Sequence, residues 1–167
     1  MIQIQLTQIK DFMSHLLIAD TFDKFLLIEG EIVTFNKFSI DGHIQKKYYS
    51  TEDSSNNGNI PEYSTWDSLK CHCYSLIKGQ KAPLSFFFIF RFPDCMIDAF
   101  LGKHIYGPAL DNLQGLYMNI HFENQSLRIT TGIATKAFSL EDKDINKAWD
   151  KAFIDFIDTL NITYNNE

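Results

Sequence analysis

Cys71-His72-Cys73 is the densest set of metal-ligating side chains in the chain. Thiolate and imidazole are the donors zinc takes in tetrahedral sites. The spacing argues against a shared ion. On a helix, residues two apart point about 200° away from each other, so Cys71 and Cys73 face opposite ways. Cys95 stands alone, and a fourth ligand would have to come from His43, His104 or His121. The expectation is therefore Cys73 in the core, Cys71 as a surface thiol, His72 on a helix flank, and no metal or other cofactor.

Asp41 and His43 flank Gly42 and could serve as an acid–base pair. Asp-Gly is more simply turn chemistry. Lys103-His104-Ile105-Tyr106-Gly107-Pro108 is a mixed loop after a very apolar region, and loops on rigid scaffolds often hold binding groups. Asp41, His43, Lys103, His104 and Tyr106 are thus the candidate rim of a ligand pocket. Asp11 and His15 are spaced as an ordinary surface pair on a helix. Thr130-Thr131-Gly132 lacks the glycines and lysine of a phosphate loop, and the sequence has no nucleophile elbow, H-E-x-x-H or dinucleotide fingerprint. No catalytic residue is assigned, and the expectation leans away from an enzyme.

These groups must be held by a scaffold, and its centre is Leu84–Phe92, bracketed by Pro83 and Pro93. The prolines disfavour a helix, and the aromatic content favours a strand. Alternation puts Leu84, Phe86, Phe88, Phe90 and Phe92 on one face and Ser85, Phe87, Ile89 and Arg91 on the other. Such a strand belongs inside a sheet, with a helical layer on at least one face. If Phe87 and Ile89 have no cover within the chain, they form a patch that predicts a homodimer. Ile154 on the last helix is a further candidate for self-association.

Before that strand, Ile2, Ile4 and Leu6 alternate with polar residues, and Ile9, Phe12, Met13, Leu16 and Leu17 form a helical stripe. Residues 25–40 break strand parity, which a β-bulge, a bend at Gly30 or a tight reversal at Glu29-Gly30-Glu31 would each explain; one bent strand is preferred to a hairpin. Asp41-Gly42 signals a hairpin with a return strand from His43 to Tyr49. Residues 51–59 have the composition of a mobile loop. A helix follows over 61–79, with Trp66, Leu69, Cys73, Leu76 and Ile77 inward.

After it come a short helix over 94–101 and strands over 116–122 and 126–131. Gly132 either divides off a third strand, 133–138, or lies within one long strand over 126–138. A final helix carries Ile145, Ala148, Trp149, Ala152, Phe153, Phe156, Ile157 and Leu160. Hairpin joins dominate. The predicted fold is α+β: a mainly antiparallel sheet of five to seven strands with about three amphipathic helices on one face.

At 167 residues a single domain, 1–167, is expected. Such a chain buries about 70% of its unfolded surface and needs no staple. The net charge of −6 and pI near 5.3 oppose binding to nucleic-acid phosphate and anionic lipid. No apolar run approaches ~20 residues, so no membrane span is expected. Three cysteines make no disulfide framework, and no secretory leader is visible, which points to the cytoplasm.

Several segments occur together: Ile9-Lys10-Asp11-Phe12-Met13, Thr21-Phe22-Asp23 with Phe25-Leu26-Leu27, Thr34-Phe35-Asn36 with Ile40-Asp41-Gly42, and Pro83-Leu84-Ser85-Phe86, ending with Ala148-Trp149. With these the chain resembles, over nearly its whole length, a family of small bacterial proteins known as a domain of unknown function. The resemblance implies a stand-alone cytoplasmic protein and carries no activity, ligand or site. The functional expectation is a non-catalytic binding protein, self-associating or meeting a protein partner. The competing reading is a small-molecule binder or enzyme with its pocket near residues 41–43 and 103–108.

Overall fold

The computed structural model describes residues 1–49, 60–102, 104, 105, 108–137 and 142–166. The loop expected at 51–59 lies outside them. Seven strands form one antiparallel sheet: β1 (Gln3–Leu6), β2 (Leu26–Val33), β3 (Lys37–Asp41), β4 (Ser85–Arg91), β5 (Leu113–Glu123), β6 (Ser126–Thr135) and β7 (Tyr164–Asn166). Their order across the sheet is β3-β2-β4-β5-β6-β1-β7. Among the described residues there are four α-helices: α1 (Ile9–Leu17), α2 (Trp66–Ile77), α3 (Asp94–Leu101) and α4 (Asp142–Thr159). The fold is α+β as read from the sequence, with the short helix α3 bringing the count to four.

The phenylalanine strand β4 is interior, paired with β2 on one side and β5 on the other. Phe86, Phe88, Phe90 and Phe92 are buried. The aromatic contacts show which elements lie over them. Trp66 of α2 meets Phe88 and Phe90 at 5.1 and 4.9 Å between ring centroids. Phe12 of α1 reaches the strand through Phe22 and Phe25. Phe100 of α3 and Trp149 of α4 both pack on Phe92. Phe86 stacks on Phe122, its direct cross-strand partner, at 5.0 Å. Edge-to-face and tilted arrangements prevail, as the ring quadrupole favours.

The buried indoles also satisfy their donors, which holds the helices in place. Trp66 Nε1 donates to the Leu16 carbonyl at 2.6 Å, joining α2 to α1. Trp149 Nε1 donates to the Tyr117 carbonyl at 3.2 Å, joining α4 to β5. A buried N–H without such an acceptor would cost about 1–3 kcal/mol.

Two local expectations are corrected. Residues 25–40 are a hairpin, not one bent strand, and the reversal lies at Thr34-Phe35-Asn36, where Thr34 N–H donates to the Asn36 carbonyl. Gly30 is an ordinary ladder residue. The parity break comes from a bulge at Ile28, because Leu27 pairs with Phe90 while Glu29 pairs with Ile89.

Asp41-Gly42 turns no hairpin. Gly42 donates to the Ile28 carbonyl at the bulge, and a Cβ there would lie 1.8 Å from the Leu27 oxygen. The glycine serves close backbone approach, not positive φ. In place of a return strand, His43 makes one isolated bridge to Tyr63, followed by a 3-10 turn at Lys46–Tyr48.

Of the two readings left open at Gly132, the single strand holds: β6 runs unbroken through it, ending at Thr135. Lastly, β7 has no counterpart in the sequence reading. Asn161 at φ 55° ends the last helix and lets the chain return alongside β1.

Candidate functional site

The helices and their aromatic contacts lie on one face of the sheet, and the opposite face carries the alternate residues. Strand register fixes its layout. One row runs Ser39, Glu31, Phe87, His121, Arg128, Gln5 from β3 to β1. The next runs Asp41, Glu29, Ile89, Asn119, Thr130, Gln3. Phe87 and Ile89 are half-buried among their neighbours, while Glu29, Asn119 and His121 are exposed. No described element packs across the centre of this face.

The face is polarised. Asp41 and Glu29 stand directly opposite each other, with Glu31 beside them, and like charges so placed oppose folding. Lys37 answers Glu31 at 2.6 Å, and the Asp41 carboxylate accepts the His43 N–H at 2.9 Å. On the far flank His121 and Arg128 are cross-strand partners. Between the flanks lies the apolar pair Phe87 and Ile89.

Arg91 closes one end of the face. Its Nη2 donates to both Asp94 carboxylate oxygens at 2.8 Å and to the Gln114 carbonyl at 2.9 Å. Its buried Nε has no described partner. Gly115 leaves room for this guanidinium: a Cβ there would lie 3.0 Å from Nε and 3.1 Å from the Tyr117 ring. Asp94 opens α3 behind Pro93, so it anchors Arg91 and does not cap the helix.

The residues singled out from sequence are dispersed. Asp41 and His43 line a hollow of about 430 Å³ with Ile28, Glu29 and Tyr63. There the His43 ring meets Tyr63 edge-on at 5.4 Å, and Nε2 lies 3.9 Å from Glu62. His104 is elsewhere, its Nε2 3.2 Å from Asp155, in a smaller hollow with Phe100, Ala152 and Phe156. The two hollows share no lining residue. Lys103 and Tyr106 lie outside the described residues. Ile154 is half-buried beside Ile2 and Gln3, in a hollow between α4 and β1.

Cys71 and Cys95 are exposed and Cys73 is buried. Burial, with Cys71 nearby, pushes the Cys73 thiol up from its ordinary 9.0 to about 12, so it stays neutral and unreactive. Among the described residues no three His, Cys, Asp or Glu side chains converge as a metal set. None of the described helices is long and apolar enough to cross a membrane.

Sequence reading missed the two charged flanks. Glu29, Glu31, His121 and Arg128 come from strands far apart in the chain, and only their register unites them. The sole advance signal was parity within β4. No curated protein and no solved structure matches the chain. Residues 15–165, from within α1 to β7, match a family of unknown function (DUF5721), and the chain belongs to that family.

Proposed function

We propose that the protein works by binding rather than catalysis, through the open face of its sheet, and that the partner is a second copy of the same chain. The observation that carries this is the layout of that face: apolar centre, acidic flank on β2 and β3, basic flank on β5 and β6. A two-fold axis lying in the interface along β4 lays β2 of one copy over β5 of the other. Glu31 then meets His121 of the second copy, and the acidic flank covers the basic one. Phe87 and Ile89 meet their own counterparts on the axis, as an isologous interface requires. Arg91 would also face its counterpart, but Asp94 already answers its charge.

Size supports the reading. Seven strands about 4.8 Å apart make the sheet about 29 Å wide, and β4 is about 23 Å long. Such a footprint approaches the about 800 Å² per partner of a standard interface. Two sheets stacked face to face give a sandwich with cores about 10 Å apart, an ordinary packing. We place this dimer in a reducing cytoplasm, where exposed Cys71 and Cys95 stay as thiols, and in a bacterial cell.

Size-exclusion chromatography with light scattering tests the proposal. The expected mass is twice the 19.3 kDa of the chain, falling toward it on dilution. Glu31→Lys and His121→Glu proteins should each be monomeric alone and associate when mixed, because together the two changes place opposite charges at the same contact. A strict monomer at high concentration overturns the reading, as does a mixture of the two variants that stays monomeric.

A further inference from the structure

The hollow that the sequence reading did not anticipate lies at the turn end of the β2–β3 hairpin. Its volume is about 700 Å³, within the range of small-ligand sites. Three segments line it: the hairpin turn with Thr34 and Phe35, the end of α2 with Leu76 and Lys78, and the approach to β4 with Lys81 and Leu84. The Leu84 N–H donates to the Val33 carbonyl at 2.8 Å, which fixes the last wall against the first.

Three features of the lining stand out. Phe35 and Leu84 are 87% and 70% exposed, although both are large and apolar. Neither Lys78 nor Lys81 is within ion-pair distance of a carboxylate among the described residues, in a protein of net charge −6. The helix dipole accounts for Lys78, which caps the C-terminus of α2, but not for Lys81 beyond the last turn. Finally, the Thr34 hydroxyl is buried without a hydrogen-bond partner among the described residues. Such a group costs about 1–3 kcal/mol while it stays unsatisfied.

We infer that this hollow binds an amphipathic anion, a single hydrocarbon tail carrying a carboxylate or similar head. The tail lies on Phe35, Leu76 and Leu84. The head pairs with Lys78 and Lys81; the Thr34 hydroxyl is shielded within the wall and is not one of the contacts. Lys78 is already steadied, its amine 5.3 Å from the Tyr74 ring centroid. A peptide adding as a strand is the poorer fit. The strand that leads into the hollow, β2, is paired on both edges, and the open edge of the sheet, on β3, belongs to residues 37–41, which line no part of the hollow. A flat lipid surface would meet Phe35 and Leu84 but leave the concavity unused.

Calorimetric titration of the full chain with dodecanoate, below its micelle concentration, tests the site. The expected result is saturable binding at one site per chain. Butyrate, which has the head alone, and decyl maltoside, which has a neutral head, should bind at least tenfold more weakly. Lys78→Gln with Lys81→Glu should weaken dodecanoate at least tenfold, with the melting temperature lowered by no more than about 3 °C for the lost charge at the end of α2. On the wild-type chain, dodecanoate should shift amide resonances of Thr34 and of residues 76–84, a readout independent of any variant. Equal affinity for decyl maltoside, unchanged affinity in the double variant, or shifts confined to the open sheet face would overturn the proposal. So would binding to phosphatidylglycerol vesicles without a saturable dodecanoate site.

Discussion

Strand β4 presents two faces built from one run of phenylalanines, and they behave differently. On one side Phe86, Phe88, Phe90 and Phe92 are buried, with Trp66 of α2 on Phe88 and Phe90, and α3 and α4 on Phe92. On the other, Phe87 and Ile89 are half-buried, flanked by Glu29, Glu31, His121 and Arg128. In the middle of the strand the two sides are alike in apolar character, and only Ser85 and Arg91 at the ends make the second more polar. What differs is supplied by its neighbours: helices and aromatic rings on one side, charged residues from adjacent strands on the other. Hydrophobicity along a strand therefore identifies a burial surface only when cross-strand partners agree with it.

The sharpest way to break this comparison is to truncate the two faces separately. Phe88→Ala removes a ring held between Trp66, Phe86 and Phe90, and should cost about 3–5 kcal/mol of folding stability. Phe87→Ser, one position along, should cost about 1 kcal/mol but weaken self-association at least tenfold. Urea denaturation and light scattering on the same samples separate the outcomes. If Phe87→Ser proves as destabilising as Phe88→Ala, the second face is core and the comparison fails.

An intermediate effect comes from the covered layer and concerns pH. The buried Cys73 thiol titrates near 12 in the folded chain and near 9.0 once unfolded. The folded value is the higher, so above pH 9 the unfolded chain has lost a proton that the native chain keeps. The contribution is complete below pH 9 and disappears as pH rises toward 12. Within that window Cys73 should subtract up to about 1.4 kcal/mol of stability per pH unit. Cys73→Ala lowers stability at neutral pH but should flatten the decline between pH 9 and 11, measured by urea unfolding. Parallel slopes for the two proteins would mean that the thiol is wetter than its position implies.

Much of the covered side was legible in the sequence, because its signals are local. The prolines around residues 84–92, the helical spacing of Trp149, Phe153 and Ile157, and the alternation at Ile2, Ile4 and Leu6 each declare an element and its inner face. Glu29-Gly30-Glu31 misled, since a bulge at Ile28 shifts parity with no unusual residue to mark it. Asp41-Gly42 misled for another reason: the same dipeptide that suits a tight turn also suits close backbone packing against Leu27. The candidate site was the least legible part. Its charged flanks depend on the register of strands 30 to 100 residues apart, and the hollow near Lys81 depends on a hairpin reversal at Thr34-Phe35-Asn36.

The smallest effect separates folding stability from the open face. Asn124 and Gln125, which join β5 to β6, both have positive φ, 51° and 60°. Two such residues make a hairpin turn that follows the natural twist of the strands, and glycine at the second position is the usual choice. Gln125 holds the left-handed conformation at a cost of about 1 kcal/mol, which Gln125→Gly should recover, less the extra freedom glycine gives the unfolded chain. A gain of about 0.5 kcal/mol in unfolding free energy, read from a higher urea midpoint, is expected. The turn closes the ladder that carries His121 beside Arg128 but contributes no side chain to their rows. Self-association should therefore be unchanged while stability rises. A change in dimer affinity without a change in stability would mean that the twist of β5 against β6, rather than the charges on it, decides how two copies meet.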